Sequence, residues 1–153
     1  MRGGVNGAST PSKKLFALPA PRQSKQLSAE NISSLLKELL KDLSTNSPII
    51  GAAIFSVEGL PFVSCFHAGT DDVSVAAMVA SLHSASAQIM KEMRQGSLKS
   101  IIVEGTGGKT IVIAIAPGYL LAVIAPENAR TGLVFNDAKR VARESSRLLQ
   151  EVT

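Results

Sequence analysis

The sequence contains no tryptophan, and aromatic residues make up 4% of its 153 positions. Nucleic-acid stacking platforms and carbohydrate clefts both rely on exposed rings, so neither is expected. Cys65 is the one cysteine. It cannot form an intrachain disulfide, and a reducing cytoplasm is the expected compartment. Acids are missing from the first 29 positions, where Arg2, Lys13, Lys14, Arg22 and Lys25 all precede Glu30. The formal charge of +4 therefore belongs to that segment, and the remainder is near neutral at about −1. A charge confined to a tail does not predict a nucleic-acid partner. Two separated histidines and one cysteine show no metal-ligand spacing, so no metal and no cofactor are expected. An uninterrupted apolar run of about 20 residues, as a bilayer span needs, is also missing.

What is present is a 45% hydrophobic chain, enough for one domain with its own core. Residues 1–26, rich in Gly, Ser and Pro, read as a disordered basic tail, and residues 27–153 as the folded domain. The cluster Leu15-Phe16-Ala17-Leu18 is a candidate docking motif or membrane-surface anchor, so any membrane contact is expected through the tail.

The folded part is organised around a stretch without Asp, Glu, Lys or Arg, Val73 to Met90, followed by Lys91 and Glu92. Val75, Met78, Val79, Leu82, Ser86, Ile89 and Met93 recur at helical spacing and predict a bulky apolar stripe toward the sheet. Ala77, Ala80, Ser84 and Ala87 form a smooth stripe of small residues behind it. A helix with two uncharged stripes needs two neighbours. The second is expected to be the same helix of another copy.

Before this helix, Ser28 is a candidate N-cap, and Ile32, Leu35, Leu36, Leu39, Leu40 and Leu43 form the buried stripe of an amphipathic helix ended by Ser44 to Pro48. Ile49 to Val57 and Leu60 to Phe66 read as a hairpin turning at Glu58-Gly59, with Pro61 placing the second strand at a sheet edge. Asp71 and Asp72 suit the positive end of the central helix, and Gln95-Gly96 closes it. Ser100 to Glu104, Ile111 to Ala116 and Leu120 to Ala125 are further strands, the last two so uniformly apolar that both faces should be covered. A final helix from about Ala129 to Val152 turns Leu133, Val134, Ala138, Val141, Ala142, Ser145, Leu148, Leu149 and Val152 inward. The plan is α+β, in the order α-β-β-α-β-β-β-α, with a five-stranded, mainly antiparallel sheet and helices on both faces.

Two constellations resemble catalytic motifs. Gly107-Gly108-Lys109-Thr110 ends like a phosphate-binding loop, but Val103 stands where the first Gly belongs, and strands flank it on both sides. It reads as a hairpin turn. Cys65 and His67 share a strand face and, with His83 or Asp71, could be drawn as a thiol nucleophile with its base. A lone strand cysteine is more simply a small buried hydrophobe. No catalytic site of the chain's own is expected.

The ordered set Gly51-Ala52-Ala53-Ile54 leading to Glu58-Gly59-Leu60-Pro61, the small-residue central helix, Gly118-Tyr119-Leu120-Leu121-Ala122-Val123 and Thr131-Gly132-Leu133-Val134 resembles the Roadblock (dynein light chain) family, including the bacterial gliding-motility regulators and archaeal relatives. Its usual Asp-Gly turn is Glu58-Gly59 here. The resemblance implies a homodimer in which central helices pack together and edge strands join two sheets. The implied interface is Ala77, Ala80, Ser81, Ser84 and Ala87 with Ile101, Ile102 and Val103. It also implies a platform for a small Ras-like GTPase that modulates hydrolysis or exchange, for which His83, Gln88, Lys91 and Arg94 are the candidate contacts. Arg94 and Arg130 read as helix-end surface charges rather than inserted catalytic arginines. A scaffold or light-chain-type dimerisation module is the alternative. A small-molecule sensor is a third, with Ser64, Cys65 and Ser86 as its polar groups.

Overall fold

The computed structural model describes residues 19–66, 69–115 and 117–151. The element order matches the expected plan: α1 Pro19–Asn46, β1 Gly51–Ser56, β2 Pro61–Cys65, α2 Asp72–Glu92, β3 Ser100–Gly105, β4 Gly108–Ile115, β5 Tyr119–Pro126 and α3 Thr131–Gln150. The strands form one sheet in the order β2-β1-β5-β4-β3, and every neighbouring pair is antiparallel. β2, with Pro61, is one edge and β3 the other.

Helix α1 begins earlier than its sequence suggests. Ser28 lies inside it rather than at its N-cap, and residues 19–26, read as part of a disordered tail, are helical. Pro19 and Pro21 both fall in the first turn, where the amide that proline lacks would have had no partner anyway. No glycine lies between Gly7 and Gly51 to oppose the helix. The expectations for residues 1–18, for His67 and for Val152 lie outside the described residues.

The alternation along each strand divides the core into two layers. Ala52 and Ile54 of β1, Ile111 and Ile113 of β4, and Leu121 and Val123 of β5 face α1 and α3. Ile32, Leu36, Leu40 and Leu43 of α1, and Val134, Ala138 and Leu149 of α3, close that layer. On the opposite face Ala53, Phe55, Val112, Leu120 and Ala122 pack with Ala76 and Val79 of α2. The central strands are covered on both sides, as their unbroken apolar character requires. Two residues assigned inward are not there: Leu35 is 49% and Leu133 54% exposed. The two helices lie side by side on one face, so each needs only a narrow buried stripe. Ser47 Oγ donates to Asp137 Oδ2 at 2.9 Å and ties the end of α1 to α3.

Candidate functional site

The chain from Asp71 to Gln95 builds an exposed apolar surface, with Val73, Met78, Ile89 and Met93 all exposed. Asp71 is the N-cap of α2. Its carboxylate accepts from the Val73 and Ser74 amides at 3.1 and 3.3 Å and from Ser74 Oγ at 2.7 Å. The Ser74 hydroxyl first, and its amide next, hold the Asp71 carboxyl below the usual carboxylate range. Asp72 accepts from Ser64 Oγ at 2.6 Å, fastening the helix start to edge strand β2. At the other end the Arg94 amide donates to Lys91 O and the Gln95 amide to Met90 O, the paired bonds of a Schellman cap. Arg94 itself takes the left-handed position, at φ +55°. Helix closure thus uses Arg94 at the left-handed position together with the amide of Gln95.

Ala76, Ala80 and one larger residue, Val79, make up the side of α2 that meets the sheet. Gly59, at φ +95° in the β1–β2 turn, has room for a Cβ only 3.5 Å from both Ala77 Cα and Ala80 Cβ. Ala76, Val79 and Ala80 are buried against that hairpin. His83 and Ala87 continue the same row and are half-buried. Ala80, assigned to contact with a second copy, is therefore engaged within its own fold, and Ala87 leans the same way. The outward face carries Ala77, Met78, Ser81, Ser84, Gln88 and Ile89. Met78 is 63% exposed, Ile89 55% and Met93 64%, although all three were assigned to the sheet side. Val75, Leu82 and Ser86 of that stripe are half-buried.

Between its charged ends the outward face has no formal charge. The Ser81 hydroxyl bonds back to Ala77 O at 2.9 Å, and Gln88 Nε2 donates to Glu92 Oε1 at 3.1 Å. Among the described residues α2 is the one helix long and apolar enough, by length and composition, to cross a membrane.

The β3 edge offers a second candidate surface. Ile102 and Val103 are exposed, whereas Ile101 packs partly into the core beneath the α2 side of the sheet. The candidate partner contacts do not form one cluster. Gln88, Lys91 and Arg94 are exposed toward the end of α2, while His83 lies on the inward row.

The phosphate-loop resemblance resolves into a hairpin. Gly105 pairs with Gly108 across the β3–β4 turn, and a Cβ on Gly108 would lie 2.8 Å from Ala125 O. Lys109 Nζ is occupied, donating to Ala129 O at 3.0 Å and Thr131 Oγ1 at 2.7 Å. It clamps the loop leading into α3, a role that its motif context in the sequence did not signal. Cys65 is half-buried and packs against the layer under α1 and α3. Asp71, its proposed orienter, is committed to the helix cap. Among the described residues no group of three or more His, Cys, Asp or Glu could hold a metal ion.

The Roadblock/LC7 domain model matches residues 35–125, a span holding the whole sheet except the last residue of β5, together with α2. The chain belongs to the Roadblock/LC7 family. The uncharacterized protein MJ1340 of Methanocaldococcus jannaschii is 26% identical over 110 residues, spanning 72% of this chain and 96% of that protein. Among solved structures, Myxococcus xanthus MglB superposes with a TM-score of 0.72 at 16% identity, covering 75% of this chain and 94% of MglB. An MglB described as having a tetrameric arrangement gives 0.73 at 18% identity, covering 80% and 93%. This Roadblock chain thus shares the MglB fold.

Proposed function

We propose that this Roadblock chain is a homodimeric, cytoplasmic platform that binds a small Ras-like GTPase and modulates its GTP hydrolysis or exchange. The observation that carries the reading is the outward face of α2, a charge-free surface with Met78 and Ile89 exposed. Apolar side chains at this density on one helix face mark a surface meant to be covered. Ser74, Ser81 and Ser84 interleave with them, and the start of the helix is fastened to its own sheet by the Ser64–Asp72 bond. That favours a protein partner over a lipid one.

In the proposed dimer two α2 helices pack through Met78, Ser81, Ser84 and Ile89, and the β3 edges join through Ile102 and Val103. The chain then acts on a GTPase by contact with its switch loops and reorders the GTPase's own catalytic groups. Lys91 and Arg94, exposed beyond the apolar stretch, are the contacts available at its rim. The likeness to an MglB with a tetrameric arrangement supports a second reading, a scaffold whose dimers assemble further.

Single-turnover GTP hydrolysis by each small Ras-like GTPase of the same cell, with and without excess of this protein, separates the two. Acceleration establishes an activating platform. A co-eluting complex with unchanged hydrolysis and nucleotide release establishes the scaffold, and absence of any complex refutes the GTPase reading.

A further inference from the structure

On the other side of the sheet, between α3 and the β3–β4 edge, lies a trough of about 470 Å³. Its floor is apolar: Ile113 and Ile115 of β4, and Phe135 and Ala142 of α3. Its rim is cationic, with Lys99 at the start of β3 on one wall and Lys139 and Arg143, one helical turn apart, on the other. No acidic residue lines it.

Helix α3 sorts its charges to produce this asymmetry. Asp137 pairs with Arg140 at 3.7 Å, and Glu144 pairs with Arg147. Arg140 and Glu144 line the cleft toward α1 instead. Lys139 lies 5.0 Å from the Phe135 ring centroid. Among the described residues Lys99, Lys139 and Arg143 form no ion pair. Three exposed cations lining an apolar hollow that no acidic residue lines suit a molecule that carries the counter-charge and an apolar body together.

We propose that the trough binds a small amphipathic anion, an apolar chain or ring ending in a carboxylate. The apolar part lies on Ile113, Ile115 and Phe135, and the carboxylate meets Lys139 and Arg143, with Lys99 closing from the strand side. Size selects a small molecule over a protein segment. Eleven residues line the trough, whereas a standard protein interface uses about 20–30 per side, and its volume falls within the range of about 300–1,000 Å³ typical of small-ligand pockets. The chain's own first residues are poor occupants, because Lys13 and Lys14 flank their apolar cluster and would meet like charge. Ser64, Cys65 and Ser86, the polar groups that the sequence offers a sensor, do not line it. The trough lies on the sheet face opposite α2, beside the β3 edge that the proposed dimer joins.

The test is titration of the full chain, carrying 13C-labelled isoleucine methyls, with decanoate, decylammonium and decanol below their aggregation limits. Decanoate is expected to shift the Ile113 and Ile115 methyls saturably while leaving Ile89, on the outward face of α2, in place. Decylammonium is expected to bind at least ten-fold more weakly. The exposed-site variants Lys139→Glu and Arg143→Glu should each weaken decanoate at least ten-fold, with unchanged circular dichroism. Equal binding of all three probes, shifts centred on Ile89, or decanoate affinity indifferent to both variants would overturn the proposal. So would binding of a glutamate-rich amphipathic peptide at these methyls with none of decanoate.

Discussion

Replacing Met78 by aspartate tests the α2 surface where it is most exposed. Within one chain the side chain is 63% exposed, so the fold should lose no more than about 1 kcal/mol, mainly through helix propensity. In the proposed dimer the same surface is buried. Fully burying a methionine is worth about 1.5–3 kcal/mol, and the fraction left exposed by its own chain leaves about 1–2 kcal/mol for the partner. Two-fold symmetry counts the change twice, for a loss of about 2–4 kcal/mol, or about 30- to 1,000-fold in Kd. This is a lower bound, because the carboxylate would also be driven into an apolar contact. Sedimentation velocity over a concentration series reads the Kd, and circular dichroism reads the fold. A folded M78D that dimerises within about three-fold of the parent Kd would refute the assignment of this face. Ala80→Arg is the contrasting control. Ala80 is buried against Gly59, so that arginine should disrupt the chain's own packing and yield unfolded rather than monomeric protein.

Gly59→Ala should cost about 1–2 kcal/mol in urea unfolding, because φ +95° is unfavourable for any residue with a Cβ; a change under about 0.5 kcal/mol would show that the turn relaxes freely. Lys109→Ala should cost about 1.5–3 kcal/mol through loss of its charged bonds to Ala129 O and Thr131 Oγ1, and stability equal to the parent would remove the clamp. Arg94→Gly should gain up to about 1 kcal/mol, since glycine takes the left-handed C′ position without strain; if Arg94 contacts the GTPase, the same variant binds it less well while melting higher, a split that a purely structural role does not produce. For Asp71 the native carboxyl is lowered, so its contribution is present above the ordinary carboxylate pKa of about 3.9 and is lost as pH falls through the lower native value. The gap in urea midpoint between the parent and Asp71→Ala should therefore close below about pH 4, and a gap constant with pH would exclude the charged cap.

Element order, the β2 edge and the two-layer core were legible because each rests on a local rule, whereas the β3 edge was implied only by the family resemblance. Pro61 can stand only where no ladder bond is required, and β2 is an edge. The unbroken apolar runs of β4 and β5 require cover on both faces. The start of α1 was not legible, because Pro19 and Pro21 serve equally as loop residues and as first-turn helix residues. Lys109 was not legible either. Its partners are a backbone carbonyl and a hydroxyl about 20 positions along the chain, and no spacing rule announces such a clamp.

The orientation of α2 shows why periodicity stops short of function. A helical repeat reports that a stripe is buried, but not whether the chain's own sheet or another molecule buries it. When polar residues cover one face the ambiguity disappears, as on α3, whose charges sort themselves away from the core. Helix α2 has no charge between Val73 and Met90, so both of its stripes satisfied the rule, and the bulkier was assigned inward. The structure divides both stripes: Val79 and Ala80 are buried, Ala80 beside the hairpin tip at Gly59, while Met78, Ile89, Ala77 and Ser84 are exposed. Met78 and Ile89 are turned outside, where they give a partner more apolar area than the small stripe could have offered. The correction thus strengthens the docking reading while changing which substitutions can test it.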